Sequence, residues 1–168
     1  ALESDAINYL SIKISTIYSQ ITPLAFEETV EALVERLSDL FRWAQKCRYQ
    51  AENGEMTPKF INLDMEEYRD LALTVEAFQR TLDLPEFKGL RAGIVLQAYL
   101  PDAYDWHRNL TEWAKARVAD GGAPVKMRIV KGANMDMEQT ESAMRGWPQA
   151  PYHEKLDTDA NYKRMLRY

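Results

Sequence analysis

Lys13, Asp64, Gln97 and Arg128 each stand near the carboxyl end of a short run of alternating or β-branched residues. Side chains alternate faces along a strand, so parity decides which residues share a side. In residues 9–15 the apolar face is Leu10, Ile12 and Ile14, and Ser11, Lys13 and Ser15 oppose it. Over 60–64, Ile61 and Leu63 oppose Phe60, Asn62 and Asp64. Ile94, Leu96 and Ala98 oppose Val95, Gln97 and Tyr99 in residues 93–100, and Met127 and Ile129 oppose Lys126, Arg128 and Val130 in 124–131. If each apolar set packs under helices, a lysine, an aspartate, a glutamine and an arginine converge on the other face at one end. An unpaired charge costs several kcal/mol to bury. Such a mouth is therefore either an ion-pair plug or a receptor for a polar or charged ligand, and the second reading is preferred. A desolvated Lys13 could alternatively serve as the nucleophile of a Schiff-base aldolase.

The run Lys131-Gly132-Ala133-Asn134 follows the fourth strand. Its glycine lets backbone approach a ligand, and the next helix start, near Asp136, could offer N–H groups to a phosphate; a plain strand-to-helix turn is the simpler account. Glu66-Glu67 at a helix start reads as compensation of the helix dipole. His107 reads as a helix-surface histidine, and Cys47 as an ordinary free thiol. No His, Cys, Asp or Glu cluster has zinc-ligand spacing, so no metal is expected.

These residues need strands to aim them and helices to cover them. After the first strand, Thr22-Pro23 opens a helix whose apolar positions run Phe26, Val30, Leu33, Leu37, Phe41 and Ala44, with Asn53-Gly54 as its stop. Tyr68, Leu71, Val75, Phe78 and Leu82 mark a second amphipathic helix. A third spans about 102–119, with Trp106, Leu110 and Trp113 inward. A fourth lies near 135–145, ended by Gly146, and another begins about Thr158-Asp159. The order βαβαβαβα, then α, implies a parallel sheet. A doubly wound sheet would want a glycine-rich fingerprint after the first strand, where this chain has Thr16-Ile17-Tyr18-Ser19-Gln20. The fold class expected is therefore α/β, a partial (β/α)8 TIM-like barrel of about four βα units forming one domain over 1–168. A complete barrel takes about 250 residues, so both ends are expected to be cut from something longer. A half-barrel leaves two sheet edges and one face open, which makes self-association of an inactive fragment a further alternative.

Composition narrows the classes. The chain of 168 residues is 46% hydrophobic and 28% charged, ordinary for a globular domain. Its 21 basic and 26 acidic residues give a net charge of −5 with no basic stripe, which argues against a nucleic-acid partner. One cysteine cannot make an internal disulfide, and a reducing, cytoplasmic compartment fits. The longest charge-free apolar run, Ala92–Pro101, is about half of a membrane span, and the acidic Ala1–Asp5 does not resemble a secretory signal.

Four segments carry a family resemblance: Ser11-Ile12-Lys13-Ile14-Ser15, Asn62-Leu63-Asp64-Met65-Glu66-Glu67, Val95-Leu96-Gln97-Ala98-Tyr99 and Arg128-Ile129-Val130-Lys131-Gly132-Ala133. In this order and spacing they resemble successive barrel strands of flavin-dependent proline dehydrogenases, most of all the bifunctional form, proline utilization A, fused to an aldehyde dehydrogenase. Thr158-Asp159-Ala160-Asn161-Tyr162 is similar to the family's next segment. The resemblance implies a barrel that holds FAD, oxidises L-proline to 1-pyrroline-5-carboxylate and delivers electrons to a quinone, with peripheral contact at the inner membrane. It further implies that Lys13 binds the substrate carboxylate, that Asp64 neighbours substrate and flavin, and that Gln97 and Arg128 hydrogen-bond the isoalloxazine. Val130, Gly132 and Ala133 would line the cofactor through backbone, and His153 with Lys155 would meet its adenosine part. The family's clamping arginines and tyrosine have no match after Tyr162, so these residues alone are expected to turn over little or nothing. Asn134 stands where many relatives carry an aromatic.

Overall fold

In a computed structural model, which describes residues 2–4 and 6–168, the inward faces are set by four parallel strands. β1 (Tyr9–Ile12) runs into a single helical turn, α1 (Ile14–Ile17), and the long α2 (Phe26–Lys46) follows. A hairpin of β2 (Arg48–Gln50) and β3 (Met56–Pro58) precedes β4 (Phe60–Leu63) and α3 (Leu71–Leu82). The remainder is β5 (Ala92–Gln97), α4 (Ala103–Ala119), β6 (Lys126–Val130), α5 (Met135–Arg145) and α6 (Lys155–Leu166). The four-stranded sheet has the order β1-β4-β5-β6, all parallel, so β1 and β6 are its edges.

The helices form where the apolar spacing demands. Thr22 accepts the Leu24 N–H ahead of a 3-10 turn at Pro23–Ala25, and α2 then buries Val30, Leu33, Leu37, Phe41 and Ala44. α3 sets Leu73, Val75, Phe78 and Leu82 into the same core, which continues through Ile61, Leu63, Ile94 and Leu96 of the sheet. At roughly 1.5–3 kcal/mol per fully buried large aliphatic or aromatic side chain, this cluster is the main force holding helices to one face of the sheet. Two carbonyl-seeking cations staple the periphery. Arg117, buried in α4, donates to the carbonyls of Leu82, Phe87, Lys88 and Ala123, and Lys59 donates to those of Ser4 and Ile7.

The expected strand at 9–15 ends instead at Ile12. A bond from the Thr16 N–H to the Lys13 carbonyl turns the chain, because Ile14 drops into the core rather than continuing the pleat. Asn53-Gly54 does not stop α2, which ends at Lys46; it forms the tip of the β2–β3 hairpin, with Gly54 at φ +84°. His107 is not on the surface: it is buried in α4, edge-on to Tyr168 at 5.8 Å, and burial pushes its pKa down.

Candidate active site

The register places the polar face in successive rows. Lowest lie Tyr9 and Phe60, stacked at 5.4 Å, with the Lys126 ammonium over both rings. Above them Asn62 donates to Ser11 Oγ at 3.0 Å. Gly93 beside them must lack a side chain, since a Cβ would come within 2.6 Å of Asn62 Oδ1.

The next row carries the charges. Ile12 pairs with Leu63, and Val95 with Arg128, so Lys13, Asp64, Val95 and Arg128 lie level across β1, β4, β5 and β6. Lys13 keeps an extended backbone, φ −107° and ψ 151°, so the strand's parity carries one residue past β1. Arg128 Nη2 reaches over the intervening β5 to Asp64 Oδ1 at 2.9 Å, with Val95 buried between the two strands. Gln97 lies two residues further along β5, opposite Val130. The four residues read from parity thus share one face at the carboxyl ends of four neighbouring strands.

Their surroundings are unequal. Lys13 is 49% exposed in its side chain and pairs with Glu66 Oε1 at 3.1 Å; Arg128 is 44% exposed. A half-exposed, ion-paired lysine is the opposite of the desolvated amine that a Schiff-base aldolase needs, and that reading is withdrawn. Gln97 is buried. Its Nε2 donates to the Glu66 carbonyl at 3.1 Å, while its Oε1 is a buried acceptor without a partner. A buried polar atom left unpaired costs about 1–3 kcal/mol, so this oxygen has capacity for one more donor.

The loop from β4 to α3 supplies what parity missed. Glu66 and Glu67 do not simply compensate a helix dipole: the Glu66 carboxylate holds Lys13 and Ser15, and its carbonyl takes Gln97 and Asn134. Nearby, burial raises the Asp70 carboxyl to about 6 and pushes Glu138 upward, and a hydrogen bond to Asp102 raises Tyr68 to about 12.

The remaining expected residues lie around this row rather than in it. Gly132 has φ +141°, and a Cβ there would sit 2.4 Å from Tyr99 Cγ, so a neighbouring ring already requires the glycine. Gly132 and Ala133 are exposed, and Val130 is half-buried. His153 and Lys155 are exposed on the segment entering α6, which the Tyr152 N–H ties to the Tyr99 carbonyl at 2.8 Å. Among the described residues no cluster of three metal-ligating side chains occurs.

Fold and site together define a segment of a parallel α/β barrel with a charged mouth at the carboxyl end of its strands. The proline dehydrogenase family profile matches residues 3–168, and the chain belongs to that family. Among solved structures it is similar to proline utilization A from Corynebacterium freiburgense, at 44% identity and a TM-score of 0.90, over 99% of this chain and 16% of that one. Proline utilization A from Bdellovibrio bacteriovorus, inactivated by N-propargylglycine, matches at 38% identity and a TM-score of 0.82, over 94% of this chain and 15% of that one. A Bradyrhizobium japonicum proline utilization A mutant matches at 26% identity and 0.76, over 92% and 15%. The chain therefore spans about a sixth of the length of these relatives. No match was found among curated proteins.

Proposed function

We propose that this chain supplies one half of a proline dehydrogenase site which, within a longer chain, oxidises L-proline to 1-pyrroline-5-carboxylate and passes the electrons to a quinone. The observation that carries the reading is the row of Lys13, Asp64 and Arg128 across four adjacent strands, with the unmatched Gln97 oxygen one step beyond. FAD held against this face supplies the acceptor for the hydride that leaves the substrate.

The side chains divide the remaining work. Lys13 offers its ammonium to the substrate carboxylate, and Glu66 fixes where that ammonium stands. Arg128, steadied by Asp64, holds positive charge on the face where the flavin ring gains negative charge on reduction, a preorganised electrostatic contribution. Asp64 borders both substrate and ring. Gln97 Oε1 would accept a donor of the cofactor, and the backbone at Val130, Gly132 and Ala133 would line it. His153 and Lys155 are the groups within reach of its adenosine end.

An aldehyde dehydrogenase domain in the same parent chain is the proposed partner, since the solved relatives are proline utilization A proteins and one is described as bifunctional. Cytoplasmic placement, with quinone reduction at the inner membrane, belongs to the same reading; no described helix is long and apolar enough to cross a membrane.

The test is optical. The purified parent protein should show flavin absorbance that bleaches when L-proline is added without oxygen, and Arg128→Met should slow that bleaching by at least about a hundredfold. A protein that stays colourless after saturation with FAD overturns the proposal.

A further inference from the structure

Glu66, two positions past Asp64, meets two other strand ends and the start of a helix. Its carboxylate takes Lys13 Nζ at 3.1 Å and the Ser15 hydroxyl from beyond β1. Its backbone carbonyl accepts Gln97 Nε2 at 3.1 Å from β5 and Asn134 Nδ2 at 2.6 Å from the start of α5.

Asn134 is the N-cap residue of α5. There an asparagine side chain ordinarily accepts a backbone N–H of its own first turn, an arrangement worth about 1 kcal/mol. Asn134 makes no such bond; its amide reaches across to the β4–α3 loop instead. The helix it begins buries none of its residues. Two other polar contacts bind α5 to the same segment: the Glu138 carboxylate accepts the Tyr68 N–H at 2.8 Å, and Glu141 faces Arg69 at 3.8 Å. Met65 anchors the loop in the core and Met135 packs against it, but between α5 and the loop polar contacts set the relation.

The shared carbonyl also fixes the Gln97 amide. A carbonyl can only accept, so Nε2 must face it, and Oε1 is left as an unmatched acceptor facing the site.

We propose that Asn134 is a positioning residue: by holding the Glu66 carbonyl it sets the Gln97 acceptor and the Glu66 carboxylate that steadies Lys13 at the same time. The inference rests on the proline dehydrogenase reading for the identity of the ligand, but not for the latch itself. Asn134→Asp keeps the shape, removes the donor and brings a carboxylate against a carbonyl; Asn134→Ala removes the contact without adding charge, and carries the test if the aspartate variant fails to fold.

Two readouts apply to the parent protein. Backbone hydrogen exchange over residues 65–68 and the first turn of α5 should quicken about tenfold in both variants, with α2 and α3 unchanged, as expected for one lost hydrogen bond. This readout needs no flavin. In the flavin-loaded protein, the variants should shift the flavin absorption band and raise the KM for L-proline about tenfold, with a smaller change in kcat. Unchanged exchange over 65–68 overturns the proposal, and so does faster exchange with an unaltered flavin spectrum and KM. If the unsubstituted protein binds no flavin, the functional reading falls, and the exchange result alone decides whether Asn134 is a latch.

Discussion

Replacing Gly132 with alanine adds one methyl group at a place with no room for it. The ideal Cβ lies 2.4, 2.6 and 2.7 Å from Tyr99 Cγ, Cδ1 and Cδ2, which are atoms of the ring root rather than the mobile end of a side chain. Tyr99 cannot swing aside cheaply, because it is only 2% exposed. Its backbone is held on both sides, by its own N–H to the Lys131 carbonyl at 2.7 Å and by the Tyr152 N–H to its carbonyl at 2.8 Å. Overpacking of this kind costs about 1–3 kcal/mol, and a non-glycine residue at φ +141° adds a further cost of order 1 kcal/mol or more, so Gly132→Ala should destabilise by about 2–5 kcal/mol. Urea unfolding followed by tryptophan fluorescence measures the total. A double-mutant cycle then separates the two causes. Tyr99→Ala removes all three clashing atoms, so in that background Gly132→Ala should cost only its backbone share, with a coupling of about 1–3 kcal/mol between the sites. An equal cost in both backgrounds would show that the ring is not why position 132 needs glycine.

Arg117→Met should destabilise by about 3–5 kcal/mol in chemical denaturation, because it takes the donor from the buried carbonyls of Leu82 and Phe87 and the part-buried carbonyls of Lys88 and Ala123; a loss below 1 kcal/mol would mean that these carbonyls find other donors. The Asp70 carboxyl supplies a pH signature. Burial lifts its pKa from 3.8 to about 6, so between these values the folded protein holds a proton that the unfolded chain has released, and stability falls as pH rises. Asp70→Asn should therefore be neutral below about pH 4 and stabilising above pH 6, by at most about 3 kcal/mol. Denaturation midpoints of the two proteins across that window test the sign, and an advantage of the variant over the unsubstituted protein that grows on acidification would contradict it. The pH slope that remains in Asp70→Asn belongs in part to Glu138, which burial shifts in the same direction.

What could be read from residues alone follows from how far each signal travels along the chain. The four polar groups of the mouth were legible because a parallel ladder preserves parity: Ile12 opposite Leu63, Leu63 opposite Ile94 and Val95 opposite Arg128 bring Lys13 and Arg128 level. The helices were legible for the same kind of reason, since Val30, Leu33, Leu37 and Phe41 repeat at the helical period and all are fully buried. Where the decisive partner is distant and the segment irregular, no such regularity exists. His107 is read as a surface residue from α4 alone, and it is inside because Tyr168, 61 residues further on, covers its ring. Asn53-Gly54 has the chemistry of both a helix stop and a hairpin tip. The short Met56–Pro58 strand pairing back on Arg48–Gln50 decides between them. Glu66 and Asn134 sit in loops, where side-chain direction depends on turns rather than on period, and their joint action brings together residues 68 positions apart in the chain. The strands thus determine which groups face the mouth, while loop residues determine how tightly those groups are aimed. Substitutions at Lys13, Asp64 or Arg128 should accordingly remove functions, and those at Glu66 or Asn134 should degrade geometry while leaving every functional group in place.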